Sequence, residues 1–177
     1  MIFEETSIPG VFIVELQRHE DERGFFARAW CQREFERHGL APCIAQVNIS
    51  HNRHKHTLRG FHYQDAPHQE DKLLRCTRGA LHFVVVDLRK DSPAYKRNIA
   101  VTLTAANYRM LYVPKGCANG FLTLEDDSEI LYLISEFHAP GFERGVKWND
   151  PALGVRWPVD APAVIAEKDR NWPDFAG

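Results

Sequence analysis

Val, Ile, Leu, Phe and Tyr gather in seven short runs: "VFIVELQ" (11–17), "IAQVNIS" (44–50), "ALHFVVVDLR" (80–89), "NIAVTLT" (98–104), "MLYVP" (110–114), "NGFLTL" (119–124) and "EILYLISEF" (129–137). This spacing constrains the fold more than any other feature, because β-branched and aromatic side chains fit the pleated surface of a sheet. Between the runs stand "DERG", "KDSP", "PKG" and "EDDS", whose Gly, Pro, Asp and Ser favour turns. Short strands punctuated in this way predict an all-β sandwich or small barrel. One segment breaks the pattern: "CQREFERHG" reads as a helix, with Gly39 suited to the left-handed position beyond its end. The Pro-rich tail "WPVDAPAVIAEKDRNWPDF" predicts irregular chain with a turn or two of helix, packed on the barrel through Trp157, Trp172 and Phe175.

Several strands are apolar on both faces. In "EILYLISEF", Ile130, Tyr132 and Ile134 point one way and Leu131, Leu133 and Phe137 the other. Such a sheet must be covered twice, and the chain has few helices to do it. Another sheet or a second subunit has to do the covering, so a homodimer with intersubunit sheet contacts is expected.

A chain of 177 residues with no solenoid-length repeat and no Ser- or Gly-rich linker is expected to form a single domain over 1–177. The formal charge of -2 gives no general affinity for polyanions, which argues against nucleic acid as a partner. "MIFEETSIPGVFIVELQ" carries acids where a signal peptide needs basic residues, and no apolar stretch reaches membrane-spanning length, so a cytoplasmic protein without membrane contact is expected. Cys31, Cys43, Cys76 and Cys117 form no C-x-x-C pair and read as free thiols of a reducing compartment.

Four of the nine histidines, His51, His54, His56 and His62, fall in "HNRHKHTLRGFHYQ". His54 and His56 could share a strand face and begin a metal site, but Arg53 and Lys55 between and beside them oppose a dication. A solvated basic segment is the simpler reading, also for His51. His62 sits in "LRGFHYQ", which reads as a strand entering the barrel, and a lone strand histidine is ordinarily structural.

Its company changes that. "RGFHYQ…KLLRCTRGALHFVVVDLRKDSPAY", "VPKGCANGFLTL", "ILYLISEFHAPGFERGVKWNDPALGVRWP" and "EKDRNWP" together resemble the dTDP-4-dehydrorhamnose 3,5-epimerase family of sugar-nucleotide epimerases, from about Asp21 to Pro173. The resemblance implies a cupin-type jelly-roll β-barrel with a few short helices. It also implies a metal-independent epimerase that inverts C3, C5 or both of a nucleotide-diphosphate-linked 4-keto-6-deoxy sugar through an enolate. Two other functions fit a cupin: a non-catalytic sugar-nucleotide binder, and a metal-dependent isomerase using His54, His56 and His62. Metal-binding cupins supply His-x-His, a Glu and a further His. Here the corresponding positions hold His62, Gln64, Lys72 and Asn119, a poor set for Zn²⁺ or Fe²⁺, so no metal and no cofactor are expected.

Epimerisation beside a ketone needs a base, a cation or donor for the developing oxyanion, and an acid on the opposite face. By resemblance His62 is the base, paired with Asp169; Lys72 stands by the enolate oxygen; Tyr132 is the acid. Arg23 and Arg59 match phosphate-binding positions, and Gln46, Asn48, Glu143 and Lys168 match substrate contacts. Three positions depart from the family pattern: Asn119 for a histidine, His138 for a tyrosine, and Arg28 for a glutamate at the nucleotide end. The last inverts charge and hydrogen-bond polarity, which predicts altered base recognition, with cytosine or guanine as candidates.

Overall fold

In the computed structural model, which describes residues 1–175, the chain runs through β1 (Ile2–Glu5), β2 (Phe12–Glu15), β3 (Arg18–Asp21), β4 (Gly24–Ala27), α1 (Gln32–Arg37), β5 (Gln46–Asn52), β6 (Thr57–Gln64) and β7 (Lys72–Arg78). It continues through β8 (Ala80–Asp87), β9 (Asn98–Thr104), β10 (Met110–Val113), β11 (Cys117–Thr123), β12 (Ser128–Ile134), β13 (Glu143–Gly145), β14 (Val164–Ile165) and α2 (Glu167–Arg170). One sheet has the order β1-β2-β10-β7-β12-β5, and the other β13-β6-β11-β8-β9 with β14 added beside β6. All pairs are antiparallel except β14 with β6. The main core lies between the sheets, where Leu74, Leu111 and Ile130 of the first meet Leu81, Phe83, Val85 and Phe121 of the second.

Registers decide which residues face that core. In the first sheet the row Ile13, Leu111, Leu74, Tyr132, Asn48 points inward, as does Val113, Lys72, Ile134, Gln46. The alternate rows, Val14, Met110, Arg75, Leu131, Ile49 and Phe12, Tyr112, Leu73, Leu133, Val47, point outward. α1 covers part of this outer face through Phe35. At the β5 end it stays open, with Val47 58% and Ile49 65% exposed, and Phe137 beyond β12 is 62% exposed. β12 is thus apolar on both faces, as its sequence indicates.

The outer face of the second sheet is covered by the tail, where Val146, Leu153, Trp157 and Phe175 pack on Phe61, Val84 and Val86. Gly39 adopts φ +69° just past α1, as its position predicts. The seven runs all become strands, with ends moved by a few residues. Several strands were not expected, among them β7, β1, the β3–β4 pair and the short β13 and β14. β7, from "KLLRCTR", forms the middle of the first sheet, but Lys72, Arg75 and Arg78 recur every third residue and hide an apolar pattern. β1 and the β3–β4 hairpin are mostly exposed and carry no buried stripe to reveal them, although "DERG" does turn that hairpin.

Candidate active site

β6 contributes Arg59 and His62 to one cavity, although residues three apart on a regular strand face opposite ways. The register explains it: Phe121 pairs with Arg59 and Asn119 with His62, so β6 carries one residue more than β11 over this stretch. This bulge restores the inward face on its far side. The bulge needs glycine, because a Cβ on Gly60, at φ +123°, would lie 2.6 Å from Gly120 Cα and 2.8 Å from Asn119 O. Gly60 also donates its backbone N–H to Asp169 Oδ2 at 3.1 Å.

Asp169, buried on α2, accepts from His62 Nε2 at 2.6 Å and from Trp172 Nε1 at 3.2 Å. Burial alone would raise its carboxyl pKa, but the bond from His62, then Gly60 and Trp172, outweighs it and holds the group below its ordinary value. The carboxylate therefore remains ionised from mildly acid pH upward. An ionised carboxylate only accepts, so a neutral His62 carries its proton on Nε2 and its lone pair on Nδ1. Nδ1 has no hydrogen-bond partner among the described residues and is the nitrogen available to a ligand.

The cavity, about 270 Å³, is lined by His62, Arg59 and Glu143 from the second sheet and by Gln46, Asn48, Lys72 and Tyr132 from the first, with Glu70 and His138 on loops. Tyr132 and His62 thus approach from opposite sheets. Burial pushes the Tyr132 phenol well up, with Arg59 opposing, so it keeps its proton at neutral pH. Its hydroxyl makes no hydrogen bond among the described residues. Arg59 spends Nε on Asn52 Oδ1 at 2.7 Å, which leaves its terminal nitrogens for a ligand. Lys72 is buried and donates to Asn119 Oδ1 at 2.9 Å. His138 donates its backbone N–H to Gln46 Oε1 at 2.6 Å.

Asp169, Asn119 and Lys168 stand one contact behind the lining. Lys168 pairs with Glu143 and lies over the Trp172 ring. Arg23 and Arg28, expected as substrate contacts, do not line this cavity. Arg23, at the tip of the β3–β4 hairpin, pairs with Asp21, and Arg28 with Glu34 at 3.3 Å, both outside this cavity. The hairpin lies outside both six-stranded sheets, so sequence position alone cannot say which site it serves. His54 and His56 lie in the turn before β6, and neither lines the cavity. Among the described residues no three His, Cys, Asp or Glu come together as a ligand set. Gln64 instead ties loops together: it donates to the His68 and Phe137 carbonyls and accepts from Ala139 N.

Sequence reasoning missed Glu70, which pairs with Lys72 at 2.8 Å. The signal was there, since residues two apart on extended chain share a side. It also missed the role of Trp172, whose indole covers Gly145: a Cβ there would lie 2.2 Å from the ring. Gly145→Ala must displace Trp172 and with it one donor to Asp169. Activity should fall about 10-fold or more, with indole fluorescence altered and the melting temperature lowered. Unchanged turnover would show that Trp172 is not needed to hold the carboxylate.

Residues 5–177 match the family model described as dTDP-4-dehydrorhamnose 3,5-epimerase. The protein of that name from Shigella flexneri is 38% identical over 97% of this chain and 94% of its own length. The crystal structure of the Bacillus anthracis protein of that name, with TDP and PPi bound, superposes with a TM-score of 0.93 at 36% identity, covering 98% of this chain and 99% of that one. A Legionella pneumophila dTDP-6-deoxy-D-glucose-3,5-epimerase, in complex with dTDP-4-keto-L-rhamnose, has a TM-score of 0.90 at 30% identity over 98% of this chain and 92% of that one. The sheets described above are the jelly roll of these proteins, and the chain belongs to the dTDP-4-dehydrorhamnose 3,5-epimerase family.

Proposed function

We propose that this chain inverts C3, C5 or both of a nucleotide-diphosphate-linked 4-keto-6-deoxy sugar by removing and returning a carbon-bound proton. One observation carries the reading: an imidazole–carboxylate pair reaches the cavity from one sheet and a phenol from the other. Inversion requires that arrangement, because the proton must leave on one face and return on the opposite one. His62 Nδ1 takes the proton beside the ketone, and Asp169 stabilises the imidazolium that forms. Charge moves to the ketone oxygen, where the Lys72 ammonium stabilises the enolate. Tyr132 gives its proton to the other face. Base, acid and cation are all side chains of the protein, so the step needs no added cofactor.

Arg59 binds the diphosphate, a task that suits a planar guanidinium with free terminal nitrogens. Gln46, Asn48, His138, Glu143 and Lys168 shape the remainder of the substrate site. The relatives' ligands favour a thymidine nucleotide. Arg28 stands beside Glu34, so that patch still offers a carboxylate acceptor for a thymine N–H.

Two copies pair, in this reading, through the open apolar face of β5. The hairpin then delivers Arg23 and Arg28 to the second copy's substrate, which accounts for their distance from their own cavity. Ile49→Glu should yield a monomer by sedimentation velocity with weakened substrate binding; a dimer of unchanged mass would place the interface elsewhere. The function itself is tested by incubating the chelator-treated protein with a dTDP-linked 4-keto-6-deoxy hexose and following the sugar's configuration by NMR. Inversion supports it, and an unaltered sugar refutes it.

A further inference from the structure

Lys72 is held more closely than a simple point charge requires. Its Nζ lies 2.8 Å from Glu70 Oε1 and 2.9 Å from Asn119 Oδ1, and its side chain is only 10% exposed. A lysine ammonium carries three donors on a rotor. One proton is committed to Asn119, and the ion pair with Glu70 holds the ammonium from a second side, so the rotor is restricted and the remaining N–H is biased to one direction.

Both acceptors are themselves anchored. Glu70 accepts through its other oxygen from Gln64 Nε2 at 3.2 Å, and Gln64 is tied to three loop backbone groups. Asn119 sits in β11 opposite His62, at the bulge that aims the base, and is buried. The acceptor for Lys72 and the base therefore share one strand pairing, so the direction of the remaining N–H is set relative to His62. Glu70 also cancels the charge of Lys72. What remains for a ligand oxygen is then a directed donor more than a net positive field.

From this geometry we infer that Glu70 and Asn119 are positioning residues, which turn Lys72 into a donor aimed at the ligand's ketone oxygen. The inference rests on the proton-transfer reading above and deepens it. An oxygen along the N–H direction gains the bond as charge develops on it; one displaced from that line does not. Asn119 thereby acts on substrate through Lys72.

The test reads both turnover and the ammonium itself. Glu70→Ala and Asn119→Ala should each lower kcat for solvent-deuterium incorporation about 10- to 100-fold, with KM changed less than about threefold. Glu70→Gln keeps an acceptor oxygen and should recover to within about fivefold of the unmodified protein. Independently of turnover, ¹⁵N NMR should show a slowly exchanging ammonium signal at pH 7, assigned by its loss in Lys72→Met. It should persist in Glu70→Gln and broaden away in both alanine variants. Unchanged kcat in both alanine variants, or a signal equally sharp in all of them, overturns the inference. If the unmodified protein incorporates no deuterium, the epimerase reading fails, and the ammonium signal alone then decides whether Glu70 and Asn119 hold Lys72.

Discussion

His62→Ala should reduce deuterium incorporation from solvent into the bound sugar by at least about 10³-fold, the range expected when a positioned general base is removed. Among the described residues that line the cavity, no other imidazole is paired with a carboxylate. Glu143 is paired with Lys168, and Glu70 with Lys72. Nucleotide binding should change little, because in the proposed reading the imidazole meets the sugar and not the diphosphate. Calorimetry with dTDP therefore separates a lost base from a lost fold. Asp169→Ala should cost less than His62→Ala, since Asp169 orients the ring without touching substrate. A His62→Ala protein that binds the nucleotide and exchanges deuterium at the original rate would instead favour a site that only binds, or a different base.

Tyr132→Phe should separate two events that are coupled in the unmodified protein. Deprotonation by His62 survives, so the recovered substrate still gains deuterium on its original face. Inversion fails, because no acid remains on the opposite sheet to deliver a proton there. Product formation should fall about 10²-fold or more, the magnitude typical of a missing general acid, so the ratio of exchange to inversion rises by a similar factor. The fold should tolerate the change, since the Tyr132 hydroxyl has no hydrogen-bond partner among the described residues to leave unsatisfied. An epimerisation rate equal to that of the unmodified protein removes Tyr132 from its assigned role.

Much of this site was legible in the sequence because its chemistry is local to recognisable segments. The strands that carry His62 and Tyr132 read correctly, and alternation in "EILYLISEF" put Tyr132 on the face that proves to be internal. Neighbourhoods formed across the fold were harder to see. The bulge at Gly60 arises from how β6 meets β11, and no period of two within β6 predicts that Arg59 and His62 share a side. Asn119 reaches Lys72 from the facing sheet, so that partnership exists only once the sheets meet, whereas Glu70 lies two residues from Lys72 on the same extended segment. Arg23 and Arg28 are a different case: the resemblance marks their positions as substrate contacts, and the folded chain holds them outside this cavity, paired with Asp21 and Glu34.

The account's central claim is that a carbon-bound hydrogen leaves to solvent through His62 and a new one arrives from the other side. Proton NMR of a dTDP-linked 4-keto-6-deoxy hexose, incubated in D₂O with the chelator-treated protein, tests this directly. The account predicts an inverted sugar bearing deuterium at each inverted carbon. An inverted sugar that keeps its original hydrogen there, or a sugar neither inverted nor labelled, would contradict it.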